Sequence, residues 1–382
     1  MPINAESTLE LDGALVCKAA ALLHIDSTVG DFSAERWMLP IRDGGMGLCS
    51  AYLSSAGLFM TTLLKSIHAA VDRYGHISAE TLADSMPHLK QLVTDGASML
   101  AQRGATDTPS IDPLLAQPPD ASAASQWRRS ACSRYSDTFE SGTSDFGHLS
   151  RKDSGGPGAG SWLLPPTQPQ HKLSDQAFVT AARVRLCLPV FTQQGPCLHG
   201  SLTHGPCGCS RDIIGIHALH CHVGGQSIAR HNHMVKLLAR IVEEHNDTPA
   251  TIEQQAGVHE DLRRPDLVFQ DWRGSNVFVD VGICSPYARY QGNARHMRAG
   301  AMQASAEAVK RRKYPGINIV PANTGVCGRS GKDFVTLVRS LCRHADPLQR
   351  SQHVSDIWKQ WSCMLQKWNC HVLATAGELI GP

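Results

Sequence analysis

At 382 residues the chain is long enough for two or three domains. Its 42% hydrophobic fraction allows a true core. A formal net charge of +2 excludes a polycation, so any nucleic-acid surface must come from local patches. The start, Met1-Pro2-Ile3-Asn4-Ala5-Glu6, carries no positive charge ahead of an apolar run, so a secretory leader is not expected. The apolar run Ala56 to Leu64 is too short to span a bilayer. The expectation is a reducing, intracellular compartment, where close Cys/His sets among the 13 cysteines serve as metal ligands sooner than disulfides.

Residues 9–104 read as helical. Leu9 to His24 and Ser50 to Tyr74 carry apolar residues three and four apart, the repeat of an amphipathic helix. Between them, Arg36-Trp37-Met38-Leu39-Pro40-Ile41-Arg42-Asp43-Gly44-Gly45-Met46-Gly47-Leu48 supplies glycines for a turn into the next helix. No catalytic set stands out in 1–104, which is expected to be a helical packing module. Residues 105–158 are expected to be a disordered linker. Thr106-Asp107-Thr108-Pro109-Ser110 and Ser154-Gly155-Gly156-Pro157-Gly158 bury too little apolar surface to order themselves. Tyr135-Ser136-Asp137-Thr138 lies inside that stretch and lacks the second acid of a polymerase Tyr-x-Asp-Asp. Order resumes near Ser161-Trp162-Leu163-Leu164. A helix through Phe178, Ala181, Val184 and Leu186 makes 159–195 a helical connector.

Residues 196–228 carry the first chemistry. Cys207-x-Cys209, then seven residues, His217, three residues and Cys221 place four soft or borderline ligands within fifteen residues. Zinc takes thiolate and imidazole in tetrahedral sites of this kind, so a structural zinc knuckle is expected. Asp212 and Gly215 supply the turn between the ligand pairs. Cys197, His199, His204, His220 and His222 are further candidates. Cys207 is the weakest of the four, and Cys197 can take its place.

Residues 229–345 hold the second. A helix from Arg230-His231-Asn232 to about His245 has Met234, Leu237, Leu238 and Ile241 as its inner face. Thr251-Ile252-Glu253-Gln254-Gln255 reads as a short strand. Next come two apolar runs, Arg263 to Phe269 and Val277 to Ile283, flanking a polar loop with Gly274, which signals a β-hairpin. Folded about Arg273, it sets Leu267 against Val279, Phe269 against Val277, and Asp266 against Asp280. Opposed residues on paired strands sit about 4.5–5.5 Å apart. Two carboxylates that close repel unless a cation lies between them or one is protonated. Magnesium favours such oxygen ligands. The alternative is one acid at a strand edge and another paired with an arginine. Ser285-Pro286 ends the sheet. A long helix, about Asn293 to Tyr314, closes on Lys310-Arg311-Arg312-Lys313. Ile317 to Pro321 is a strand and Lys332 to His344 a helix. Residues 346–382 hold an amphipathic helix, Val354 to Leu373, with Trp358, Trp361 and Trp368 for core or partner packing. The order helix, strand, strand, strand, helix, strand fits a small α/β nuclease core with carboxylates gathered at one end of the sheet.

These motifs together resemble the C-terminal region of non-LTR (LINE-like) retrotransposon proteins with a restriction-like endonuclease. The resemblance rests on His217-Ala218-Leu219-His220-Cys221, Arg230-His231-Asn232, Arg264-Pro265-Asp266, Asp280-Val281 and Lys313-Tyr314, in that order. Residues 36–64 and 159–190 also resemble the helical stretch that follows the reverse transcriptase in such proteins. Polymerase palm and fingers have no counterpart here, so the chain resembles a truncated or split element.

The resemblance implies PD-(D/E)XK chemistry, with Asp266 and Asp280 holding Mg2+ beside a structural Zn2+. The residue two after Asp280 is Gly282 rather than lysine, so the catalytic lysine would come from the following helix. Lys310 is one turn deeper than Lys313 and follows the small residues Ala301, Ala304, Ala306 and Ala308, which favours Lys310 as catalytic. Lys313, beside Pro315, is expected on the DNA backbone. Glu253 offers a third carboxylate or a solvated strand residue. Arg230, Arg264 and Arg311 complete the expected nucleic-acid contacts, with Arg263, Arg295 and Arg298 adding charge, and His231 reads as a cap or packing residue of its helix or as a further DNA contact. The implied fold class is α/β: an N-terminal helical segment, a disordered linker, a zinc knuckle and a restriction-endonuclease-like mixed sheet flanked by helices. The implied function is a nuclear endonuclease that nicks target DNA for target-primed reverse transcription. Its partners would be element RNA and a separate reverse transcriptase, with no membrane. The alternative is a nucleic-acid-binding remnant that has lost catalysis.

Overall fold

A computed structural model describes residues 5–25, 34–75, 77–105, 111–140, 145–201, 205–246, 248–252, 264–272, 274–287 and 298–381. The chain forms two compact units. One is Met1–Pro40 with Gly47–Thr143, and the other is Ile41–Met46 with Ser144–Pro382.

Among the described residues the first unit is helical. It contains α1 (Ala5–Leu22), α2 (Ala34–Met38), α3 (Ala51–Tyr74), α4 (Ala79–Ser85), α5 (Pro87–Gln102), α6 (Ile111–Ala116) and α7 (Ala123–Glu140). A helix start leaves backbone amides without partners. Ser50 answers this for α3, because its Oγ accepts the Leu53 amide at 2.9 Å. Asp12 of α1 accepts the Ser50 hydroxyl at 2.6 Å and the Ala51 amide at 2.7 Å. Ala56, Met60, Leu64 and Ile67 of α3 share one face and meet Val93 and Leu100 of α5 in the core. Gly96 allows this approach, since a Cβ there would lie 2.0 Å from Met60 Sδ.

The second unit holds α8 (Asp145–Ser154) and α9 (Asp175–Leu186), then two small ribbons. β1 (Gly195–Pro196) pairs with β4 (Ser210–Arg211), and β2 (Gly200–Ser201) pairs with β3 (Gly205–Pro206). The short α10 (Ile216–His220) follows, then α11 (Gln226–Asn246), which begins four residues before the expected Arg230. The main sheet runs β5 (Ala250–Ile252), β6 (Leu267–Trp272), β7 (Ser275–Cys284), β8 (Ile319–Gly325). The first two pairings are antiparallel and β7–β8 is parallel. Parallel neighbours need a crossover, and α12 (Ala301–Lys313) lies within that connection. The unit ends with α13 (Lys332–Leu341) and α14 (Pro347–Ala376). Fold class is therefore mixed α/β with a mixed four-stranded sheet. Leu267 does oppose Val279, and Phe269 does oppose Val277. Pro321 cannot donate to a ladder, and it is tolerated because β8 is an edge strand.

Alternation along the strands gives the sheet two unlike faces. Leu267, Phe269, Val277, Val279, Val281 and Ala322 face one core. There they meet Met234, Leu238 and Ile241 of α11, Phe334 and Val338 of α13, and Ile357 and Trp361 of α14. Each such side chain contributes about 1.5–3 kcal/mol when fully buried. The tail helix is thus an integral part of the core. The other face carries Asp280, Gly282 and Asn323 and is covered by α12.

The expected linker is corrected. Described residues of 105–158 lie mostly in α6, α7 and α8, and the glycine run is packed. Gly158 has φ +78°, and a Cβ there would lie 2.4 Å from Trp358 Cε3. The small residues that suggested too little burial are what permit close approach. Gly158→Ala is expected to destabilise the protein by about 2–4 kcal/mol, from overpacking and a strained left-handed residue together. A thermal melt equal to wild type would show that the contact is soft.

Candidate functional site

Two sites lie in the second unit. The first is a Cys/His group held by the two ribbons and α10. Backbone pairing sets the ribbons, with the Cys197 amide donating to the Cys209 carbonyl at 2.9 Å and the Cys207 amide to the His199 carbonyl at 2.7 Å. Asp212 caps α10 by accepting the Ile216 amide at 2.9 Å and the His217 amide at 2.8 Å. Gly215, at φ +80°, makes the turn before it. The expected roles of Asp212 and Gly215 hold.

Cys197, Cys207, His217 and Cys221 come together, with one ligand atom of each within 4.8 Å of all the others. Cys207 Sγ lies 3.4 Å from His217 Nε2 and 3.5 Å from Cys221 Sγ. This corrects the expected ligand set. Cys209 is exposed and outside the group, while Cys197 is buried within it. The reason is geometric: Cys207 turns inward, so the neighbour two residues on serves through its backbone. Each thiol receives the amide two residues later, His199 for Cys197, Cys209 for Cys207 and Val223 for Cys221. The Cys209 amide is the largest influence on Cys207 and draws its thiol down to about 7. Burial pushes Cys221 up to about 12. His199 turns away, with its Nε2 2.8 Å from the Val372 carbonyl. His204 lies outside the described residues. Three thiols and an imidazole, with amides aimed at sulfur, can hold a metal ion such as zinc.

The second site lies on the polar face of the main sheet. Asp266 precedes β6 and continues the register toward Asp280 of β7. Its Oδ2 accepts the Val281 amide at 2.7 Å and lies 3.2 Å from His231 Nε2. Among the described residues nothing donates to its Oδ1. Asp280 is nearly buried, its side chain 9% exposed. A lone carboxylate at such a place is costly, and α12 brings the compensation. Lys310 donates to Asp280 Oδ1 and to the Val281 carbonyl. Lys313 Nζ lies 3.5 Å from Asp280 Oδ2. Burial pushes the Asp280 carboxyl up. The Lys310 charge and hydrogen bond, with the Tyr314 hydroxyl and the Lys313 charge, outweigh burial and hold it below its ordinary value. The hydrogen bond to Asp266 likewise raises His231 against the opposing effect of burial.

Gly282 explains how Lys310 arrives. A Cβ there would lie 3.0 Å from both Lys310 Cε and Nζ. The missing side chain on β7 is the room through which the α12 lysine reaches the carboxylate. Lys310 is 15% exposed and Lys313 52%, so the two lysines occupy unlike settings.

The expected nucleic-acid contacts divide. Arg230 is a correction: it is buried and donates to Asn369 Oδ1 at 2.7 Å and to the Leu219 carbonyl at 2.8 Å. It ties α11 to α10 and α14. His231 is drawn into the acid site. Arg264 is exposed, and its carbonyl accepts the Tyr314 hydroxyl at 2.8 Å. Arg311 is exposed and paired with Asp333. Arg298 is exposed. Glu253, Arg263 and Arg295 lie outside the described residues. Asn323, fully buried beside Gly282, carried no signal in the sequence. No family model and no curated protein sequence matches the chain.

Proposed function

We propose that the second unit is a retrotransposon-derived DNA endonuclease module, restriction-like in its core, with a structural zinc at the knuckle. The observation that carries this reading is the Asp266–Asp280 pair with Lys310 on Asp280 in the room left by Gly282. The element order from α11 to β8 also supports it. Cys197, Cys207, His217 and Cys221 would hold Zn2+, closing a tetrahedral set with no open position. Asp266, Asp280 and the Val281 carbonyl would hold Mg2+, since they are hard oxygen donors. The magnesium ion, when bound, supplies a water of lowered pKa and positive charge at the phosphate.

The chain's own residues do the rest. The Val281 amide and His231 fix Asp266 through Oδ2 and leave Oδ1 for a ligand. Lys310 places a partly buried ammonium beside the acid pair, where it stabilises charge developing on the attacked phosphate. Lys313, half exposed, contacts the DNA backbone, and Arg264 and Arg298 add sequence-independent phosphate contacts. Target DNA is the substrate. Element RNA and a separate reverse transcriptase are the partners, and the nucleus is the place of action.

The test is a supercoiled-plasmid nicking assay with the full chain and magnesium. Wild type nicks, and Asp266→Ala loses rate by more than about a hundredfold, since even outer partners of metal ligands cost 10–100-fold. A wild-type protein that binds DNA but leaves the plasmid intact would instead support the non-catalytic, nucleic-acid-binding reading.

A further inference from the structure

Asn323 presents an unresolved cost. It is fully buried on β8, and neither its Oδ1 nor its Nδ2 has a hydrogen-bond partner among the described residues. Leaving a buried amide unpaired costs about 1–3 kcal/mol, so such a group points to a partner in another state of the protein. Its surroundings name that partner. Asn323 pairs in register with Gly282. A Cβ on Gly282 would meet Asn323 Oδ1 at 2.1 Å and Lys310 Nζ at 3.0 Å. The amide oxygen and the ammonium therefore flank the same spot.

Lys310 at present donates to Asp280 Oδ1 and the Val281 carbonyl. Those are two of the three oxygens assigned above to a divalent cation. A cation bound there evicts the ammonium, which must then find another acceptor or stand unpaired in a partly buried place. This inference rests on the proposed nuclease reading. We propose that Asn323 Oδ1 is the acceptor that takes over the Lys310 ammonium when a divalent cation occupies Asp266 and Asp280. Asn323 is thus a positioning residue. It lowers the cost of displacing Lys310 and keeps the ammonium aimed at the reaction site.

The test is a double-mutant cycle on calcium affinity, measured calorimetrically on the full chain. Calcium is a hard cation with oxygen ligands and reports binding without turnover. A hydrogen bond to a charged group contributes enough that Asn323→Ala is expected to weaken calcium binding about tenfold. Lys310→Met removes the competing ammonium and is expected to tighten binding. In the Lys310→Met background Asn323→Ala is expected to change nothing, because no ammonium needs rehousing. Asn323→Ser, which keeps an acceptor oxygen, is expected to recover part of the loss. An equal loss in both backgrounds would make Asn323 a ligand or a structural residue, and no loss in either would make it idle. Each result overturns the inference and leaves the nuclease reading standing. Calcium binding that is absent from wild type, or unaffected by Asp266→Ala and Asp280→Ala, would overturn both. If Asn323→Ala does not fold, Asn323→Asp replaces it. That variant is expected to tighten calcium binding more in the presence of Lys310 than in Lys310→Met, and equal tightening would overturn the inference.

Discussion

Removing the zinc proposed for the Cys/His group is expected to unfold much more than the ribbons that carry it. Metal analysis of the purified chain should give about one zinc per chain, as a closed four-ligand site holds a single ion. Structural zinc contributes roughly 10–16 kcal/mol in small peptides, comparable with or above the whole stability of a domain, about 5–15 kcal/mol. Cys197 and Cys221 belong to the same core as Val190, Phe191, Leu219, Val326 and Leu373, so the group is continuous with α14 and the end of the main sheet. Cys221→Ser, or a strong chelator, should therefore lower the melting temperature by more than about 10 °C, several kcal/mol for a domain of this size. Individual ligands can be separated by substitution. Cys197→Ser is expected to lose zinc, and Cys209→Ser to keep it, because Cys209 acts through its amide. A folded, zinc-free wild type with an unchanged melt would remove the metal from the account. Zinc lost from Cys209→Ser and kept in Cys197→Ser would reverse the assignment.

Lys310→Ala and Lys313→Ala are expected to differ by far more than their separation of one helical turn suggests. Lys310 is partly buried and held on Asp280, and its loss should lower nicking about 10²–10³-fold, the range for removing one preorganised charge-stabilising donor. Lys313 is half exposed and more distant from the carboxylate. Its loss should weaken DNA binding across sequences, reduce the slope of binding against salt by about one, and leave the rate at saturating DNA within about tenfold. The pH dependence separates them again. In wild type the Asp280 carboxyl lies below its ordinary value, so it contributes stability above the ordinary carboxylate pKa, lost as pH falls through the lowered one. Without Lys310, burial becomes the dominant influence and that contribution at neutral pH shrinks or reverses. Lys310→Ala should thus be destabilised at pH 7 more than at pH 4, while Lys313→Ala keeps nearly the wild-type profile. Equal nicking by Lys310→Ala and wild type would end the assignment of the lysine to α12.

Much of the sheet was legible because its evidence is local. The polar loop with Gly274 sits between two apolar runs, and folding it about Arg273 sets which residues oppose one another, where a slip of one residue would turn every side chain to the other face. Register followed, and with it the approach of Asp266 to Asp280. The inner face of α11 was legible for the same reason, as Met234, Leu237, Leu238 and Ile241 repeat at helical spacing and all are buried. The lysine beside Asp280 was reached through the resemblance, because Gly282 stands where it asks for a lysine, and the alanines of α12 did not mark its inner face: Met302, Gln303 and Glu307 are buried there, while Ala304 is exposed.

The periodic elements, the acid pair and the existence of a Cys/His site could be read from the chain, because each depends on residues near one another in it. The other features depend on partners brought together from far apart. Cys197 joins the Cys/His group because a ribbon brings it against Cys207, ten residues later in the chain, while Cys209, only two residues from Cys207, is exposed. Arg230 reads as a surface cation until Asn369 of α14 and the Leu219 carbonyl enclose it. Gly158 reads as linker until Trp358, two hundred residues later, fills the space beside it. Asn323 has no local signature, and only the parallel pairing of β8 with β7 sets it beside Gly282 and Lys310. In each case the deciding partner lies far along the chain, and composition records what a residue is without recording what will be packed against it.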